Sequence, residues 1–114
     1  MKTDLVDDGS GGKLLMFWCE GCRTHHGPRV QAGSTPGPVW DWNWDRERPT
    51  IQPSILVQGT ESPTDEDLAR MRAGETVEPR PLRCHSFLTD GRLQYLGDCS
   101  HALAGTIVDL KEMN

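Results

Sequence analysis

The 114-residue sequence has little of what builds a large core or a membrane anchor. Its longest apolar run, Leu14-Leu15-Met16-Phe17-Trp18-Cys19, is far below the roughly 20 residues that cross a bilayer, so no membrane segment is expected. Positive charge is also scarce. Twelve Lys and Arg stand against 17 Asp and Glu, a net charge of -5, and tight nonspecific binding to nucleic acid draws on cations that neutralise phosphates. A protein is therefore the expected partner, and nucleic acid is not. Residues 1–12, acidic and Gly-rich, lack the basic flank and apolar stretch of a secretory signal, so a cytoplasmic chain with a flexible N-terminal arm is expected. Aromatic residues make up only 6% of the chain, yet four of them are Trp, so a few large side chains must fill much of the interior. Residues 13–114 are expected to form one small domain whose sparse core needs a staple. No phosphate-binding Gly loop, nucleophile elbow or H-E-x-x-H helix occurs.

Four cysteines and four histidines are present, and each lies close in sequence to another of the eight. In a reducing compartment, thiolate and imidazole clusters point to zinc rather than to disulfides. Cys19-Glu20-Gly21-Cys22 reads as half of a zinc knuckle, with Gly21 allowing the tight turn. A redox C-x-x-C normally opens a helix, and Arg23-Thr24-His25-His26-Gly27-Pro28 does not read as one. The second half comes from Cys84 and Cys99, on either side of an Asp90-Gly91 hairpin signal. A two-residue turn there sets Thr89 opposite Arg92 and Cys84 opposite Gly97, leaving Cys99 two residues along on the face of Cys84. The same alternation turns His85 to the opposite face. The expected ligands of a Zn2+ ion are thus Cys19, Cys22, Cys84 and Cys99, with His101 or His26 as substitutes. The competing reading makes Cys84 and Cys99 ordinary buried hydrophobes.

The rest of the pattern is mainly β. A strand starts near Lys13, a turn-rich loop covers 27–38, and Val39-Trp40-Asp41-Trp42-Asn43-Trp44-Asp45 alternates with period two, as a half-buried strand does. Trp40, Trp42 and Trp44 on one face read first as core and second as a stacking surface for bases or sugars. Arg46 and Arg48 read as partners of nearby acids, or as anion-binding groups of that surface. The prolines of Arg48-Pro49-Thr50-Ile51-Gln52-Pro53 exclude a central strand there, and a strand follows over 54–58. The one clear helix spans 62–74, with Ser62 or Thr64 as its cap, acids in its first turn and bases in its last. A final strand covers 106–110. The fold class is a small antiparallel β domain of α+β type, with one short helix and a zinc-stapled knuckle and hairpin.

The runs Arg83-Cys84-His85-Ser86-Phe87, Asp90-Gly91-Arg92 and Asp98-Cys99-Ser100-His101 form a distinctive set with Phe17-Trp18-Cys19-x-x-Cys22, Arg48-Pro49-Thr50 and Pro53-Ser54. Together they resemble a family of small phage and prophage proteins of unknown function, whose members often carry the label ammonia monooxygenase. That enzyme is a large membrane-embedded copper complex, which a chain without a membrane span contradicts. The resemblance implies a phage setting and a shared Cys and His site. On these grounds the first functional reading is a non-enzymatic, zinc-binding phage accessory protein that binds a host or phage macromolecule. The second is a small metal-dependent hydrolase, with His85, His101 and Asp98 as catalytic candidates beside an open metal position.

Overall fold

Side-chain alternation organises both layers of the molecule. In strand β2 (Lys13–Cys19), Leu15, Phe17 and Cys19 are fully buried, and the residues between them lie partly exposed on the other face. β2 pairs antiparallel with β1 (Asp4–Asp7), β3 (Thr24–His26) and β4 (Arg29–Gln31) to make one sheet. The second sheet runs in the order β5 (Asp41–Trp42), β6 (Ile51–Thr60), β7 (Pro81–Thr89), β8 (Arg92–Tyr95) and β9 (Ile107–Asp109), all antiparallel. Its inward residues, among them Ile55, Cys84, Leu88, Leu93 and Tyr95, form one apolar cluster with Leu15, Phe17 and Cys19. The computed structural model describes residues 1–113 as this pair of sheets with one short helix. Each large side chain buried between the sheets contributes about 1.5–3 kcal/mol.

The hairpin has the expected register. Thr89 pairs with Arg92, and Asp90 and Gly91 both adopt left-handed backbone, with φ of 49° and 75°, as a two-residue turn requires. The helix is also where its capping pattern put it. α1 (Asp65–Arg72) carries a reciprocal cap in which the Thr64 hydroxyl accepts from the Asp67 amide and the Asp67 carboxylate accepts from the Thr64 amide. Leu68 and Met71 stay exposed, so α1 stands out between β6 and β7 as an insertion and does not cover the sheet.

Three expectations change. Part of the stretch read as a flexible arm forms β1, with the Thr3 hydroxyl buried and donating to the Arg46 carbonyl at 2.7 Å. The alternating tryptophans are not on one strand. β5 stops at Trp42, which is buried, because the Asn43 side chain accepts from the Asp45 and Thr50 amides and turns the chain. Trp44 then sits at φ 60° and is 57% exposed, its ring 4.5 Å from that of Trp42. Finally, β6 runs through Pro53, and the sheet absorbs the missing donor in a register irregularity between Ile51 and Ile55.

Among the described residues no helix is long and apolar enough to cross a membrane. The α1 cap gives a pH dependence. The Arg80 guanidinium beside Asp67 holds that buried carboxyl down to about 2, from an ordinary 3.8. A depressed carboxyl stabilises the folded state above its unfolded pKa and loses that contribution as pH falls through the folded one. Thermal stability is therefore expected to drop as pH falls from about 4 towards 2, and Asp67→Asn should flatten this segment of the profile. Calorimetry of both proteins across that range checks it, and parallel profiles would refute it.

Candidate catalytic triad and thiol cluster

The pleat of β7 sends neighbouring residues to opposite sides: Cys84 into the interior and His85 to the outer face. On the paired strand, Leu56 lies opposite His85, so the outer face of β6 carries Leu56 and, two residues before it, Ser54. The imidazole of His85 bridges two side chains. Its Nε2 is 3.1 Å from Ser54 Oγ, and its Nδ1 is 3.2 Å from Asp98 Oδ2. With Nδ1–H donating to the carboxylate, Nε2 carries the lone pair that accepts the serine hydroxyl proton. The three groups thus form a serine, histidine and aspartate relay, in the chain order Ser54, His85, Asp98.

Each member is fixed by its surroundings. Cys99 clasps both backbone groups of His85, accepting from its amide at 3.3 Å and donating to its carbonyl at 3.2 Å. That contact seats the 96–101 loop, and Asp98 with it, against β7. Arg83, two residues before His85 on the same face, donates to Asp98 Oδ2 at 2.8 Å. The Arg83 guanidinium, and after it His85, hold the Asp98 carboxyl below its ordinary range, so it is an anion at neutral pH. Ser54 is held from the other side by the Trp40 indole, which donates to its carbonyl at 3.2 Å.

A second cluster lies inside the sandwich. Ligand atoms of Cys19, Cys22, His26 and Cys84 all lie within 4.8 Å of one another and can hold a metal ion. Cys19 ends β2 and Cys22 lies in the turn that leads to β3, where the Cys22 amide donates to Cys19 Sγ at 3.4 Å. His26 is on β3 and Cys84 on β7, so the cluster spans the two sheets. Cys19 and Cys84 sulfurs are 3.9 Å apart, against about 3.8 Å for two thiolates on one tetrahedral ion with bonds near 2.3 Å. His26 is buried and its Nε2 has no hydrogen-bond partner, a polar atom that a metal would satisfy. The three thiols also compete for charge. Cys22, and then Cys84, donate to Cys19 and lower its pKa; the same contact with Cys19 pushes Cys22 up to about 12 and raises Cys84. Buried thiols this close ionise together only beside a cation.

A further grouping joins Cys84, Cys99 and His101. The His101 ring stacks edge-on against Tyr95 with centroids 4.6 Å apart, and its Nε2 is 3.4 Å from Cys84 Sγ. Its Nδ1 accepts from the Leu103 amide at 3.3 Å, which leaves the ring proton on Nε2 to be donated to Cys84. Gly21 is needed here for space, since a Cβ would overlap that ring, and the left-handed residue of the knuckle is Arg23.

The structure therefore brings together Cys19, Cys22, Cys84 and His26, and separately His85 with Asp98. Cys99 falls outside the first group, and His101 is apart from His85. Arg46 contacts Thr3 and Asp4, while Arg48 lies 3.7 Å from Asp90, so both arginines face acidic or carbonyl partners. Ser54 is the residue that sequence reasoning missed. It has no glycine-flanked elbow, and only its spacing from His85 across two paired strands, visible once the register is known, marks it.

A family model for the Bacterial ubiquitination-like system serine protease (BubE) matches residues 2–96. The matched span contains Ser54, His85, Cys19, Cys22, His26 and Cys84, and ends just before Asp98. No curated protein and no solved structure gives a significant match. These findings correct the functional expectation. A family described as a serine protease replaces the non-enzymatic phage accessory protein, and nothing here supports a phage setting. His85 is not free for the metal-dependent alternative, because both of its ring nitrogens are engaged, by Ser54 and Asp98, on the sheet face opposite Cys84. By the extent of that match, the chain belongs to the family of bacterial ubiquitination-like system serine proteases.

Proposed function

We propose that the chain is a serine protease acting through Ser54, His85 and Asp98, and the observation that carries this is the pair of hydrogen bonds made by His85. Ser54 Oγ attacks the carbonyl carbon of the substrate while its proton passes to His85 Nε2. The resulting imidazolium, steadied by Asp98, gives that proton to the leaving group as the acyl bond breaks. Water, deprotonated by the same nitrogen, then releases the acyl product and restores Ser54. The bonds open to this chemistry are amides and esters. The family description ties such proteases to a ubiquitination-like system, so the substrate class assigned to this chain is a protein carrying an acyl bond of that system.

The interior cluster is assigned a structural zinc ion held by Cys19, Cys22, Cys84 and His26. The donor set of three thiolates and one imidazole suits zinc. His101 then donates its Nε2–H to the Cys84 thiolate, and Cys99 serves the backbone of His85 in place of the ion. A closed site of this kind supplies folding energy and no open position for catalysis. Structural zinc contributes about 10–16 kcal/mol in small peptides, comparable with the roughly 5–15 kcal/mol net stability of a whole domain.

Two outcomes are expected. An alkyl fluorophosphonate should phosphonylate Ser54, seen by mass spectrometry of the labelled peptide. Ser54→Ala and His85→Ala should lower turnover of an activated ester by at least about 10³-fold. Asp98→Asn should cost less than the roughly 10⁴-fold loss known for a buried triad aspartate, because Asp98 faces solvent. Labelling that persists in Ser54→Ala would refute the assignment. For the metal, elemental analysis should find about one zinc per chain. Stripping it with a strong chelator should unfold the protein. His26→Ala should weaken retention of the ion, and Cys99→Ser should keep it; the reverse order would overturn the ligand set.

A further inference from the structure

Ser54 stands at the start of an open sheet edge. The Glu61 amide donates to the Arg80 carbonyl of the neighbouring strand at 2.8 Å, and β6 and β7 pair in steady register from Ile55 to Thr60. In an antiparallel ladder the paired residues alternate, so Ile55, Val57, Gly59 and Glu61 turn their backbone groups to β7. On the other side of His85, its carbonyl accepts from the Leu96 amide at 2.9 Å, which agrees with this phase. Leu56 and Gln58 therefore turn their amides and carbonyls to the opposite edge. β5 covers that edge only at Ile51 and Gln52. Among the described residues no strand pairs with β6 there from Ser54 onward.

A groove of about 430 Å³ runs along this open edge, between β6 and the segment joining β3 to β4. Its walls include Leu14, Pro28, Pro38, Trp40 and Leu56. Trp40 is the wall next to the nucleophile, since its indole is bonded to the Ser54 carbonyl. Leu56 is 45% exposed on the face shared by Ser54 and His85. The one guanidinium in the lining, Arg29, is occupied by the carbonyls of Thr35 and Pro36. The groove thus offers apolar surface and unpaired backbone groups in line with the triad, the two things an extended peptide needs for strand addition.

Resting on the triad reading, we propose that the substrate segment bearing the scissile bond binds as an added strand on the free edge of β6, with an apolar side chain beside that bond seated in the groove between Trp40 and Leu56. Between those two apolar walls an acidic side chain would lose hydration that neither Trp40 nor Leu56 replaces, the imidazoles of His25 and His26 lining another part of the groove.

The test uses the intact protein and three tetrapeptide aldehydes: Ac-Ala-Ala-Ala-leucinal, its aspartate counterpart, and the leucinal with N-methylated internal amides. Each is scored by the concentration that halves the rate of fluorophosphonate labelling at Ser54. The leucinal is expected to protect at least 10-fold better than either of the others. Leu56→Asp should abolish its advantage over the aspartate peptide, each variant being scored against its own labelling rate. Ile107→Asp, an equal change on the same sheet face but three strands away from β6, should keep it. Ser54 labelling without protection by any aldehyde, equal protection by all three, or a selectivity ratio untouched by Leu56→Asp, overturns the proposal while the triad stands. Absence of Ser54 labelling in the parent protein overturns the triad reading, and this one with it.

Discussion

The structure depends on the pleat of one strand at two adjacent residues. Because β7 alternates, Cys84 goes to the interior, where it meets the thiols of the other sheet, and His85 goes to the surface, where it meets Ser54 and Asp98. A shift of one residue in the register of β7 would exchange them, putting an imidazole among buried thiols and a lone thiol on the outer face. The register is held at both ends. The tight Asp90 and Gly91 turn fixes it against β8, and the bond from Glu61 to Arg80 fixes it against β6. The thiol cluster and the face that carries the triad are thus set by the same few hydrogen bonds.

The two clusters also share a loop. Residues 96–101 deliver Asp98 outward, Cys99 to the backbone of His85, and His101 inward to Cys84. A metal ion at the proposed site would draw the cysteines of the first sheet towards Cys84 and press β7 against that sheet, where His101 lies over Gly21. The carboxylate that orients His85 lies three residues away along the chain. Geometry at the triad is consequently bound to geometry at the thiols, without any contact between the thiols and the reacting atoms. Residues supporting a site through such contacts are the ones that hold a catalytic histidine within the few tenths of an ångström that proton transfer demands.

Local physics made several of these elements legible in the sequence. The Asp90-Gly91 turn, the capped helix after Thr64 and the opposite facing of Cys84 and His85 follow from turn chemistry, capping and alternation, none of which needs distant contacts. The resemblance to phage proteins directs attention to Cys and His, which do cluster in the structure, but the family match overturns the non-enzymatic function drawn with it. His85 and Asp98 stood out as reactive residue types, but without a serine they pointed to a metal. Ser54 was illegible because a hydroxyl at the start of a strand is commonplace, and its meaning arises from a pairing 31 residues away. The tryptophan run misled for a different reason: its period-two pattern is real, but Asn43 spends its side chain on the backbone and ends β5 after two residues. A competing side-chain to backbone bond defeats a periodicity argument whenever it falls inside the run.

A triad on the outside of a sandwich sheet faces a problem that a triad in a cleft does not. Hydrogen bonds and ion pairs weaken in contact with water, and the side chains of His85 and Asp98 are 25% and 40% exposed. The protein alone does not dry this site. The open edge of β6, the apolar wall of Trp40 and the exposed Leu56 and Phe87 border the same face, so a bound polypeptide would cover Ser54 from the edge and displace water from around His85. Such covering strengthens the Ser54, His85 and Asp98 bonds only when substrate is present. On this view a chain with so small a core need not enclose an active site. It needs only a rigid two-sided strand, packed on one face against the other sheet, on which a substrate strand would complete the other.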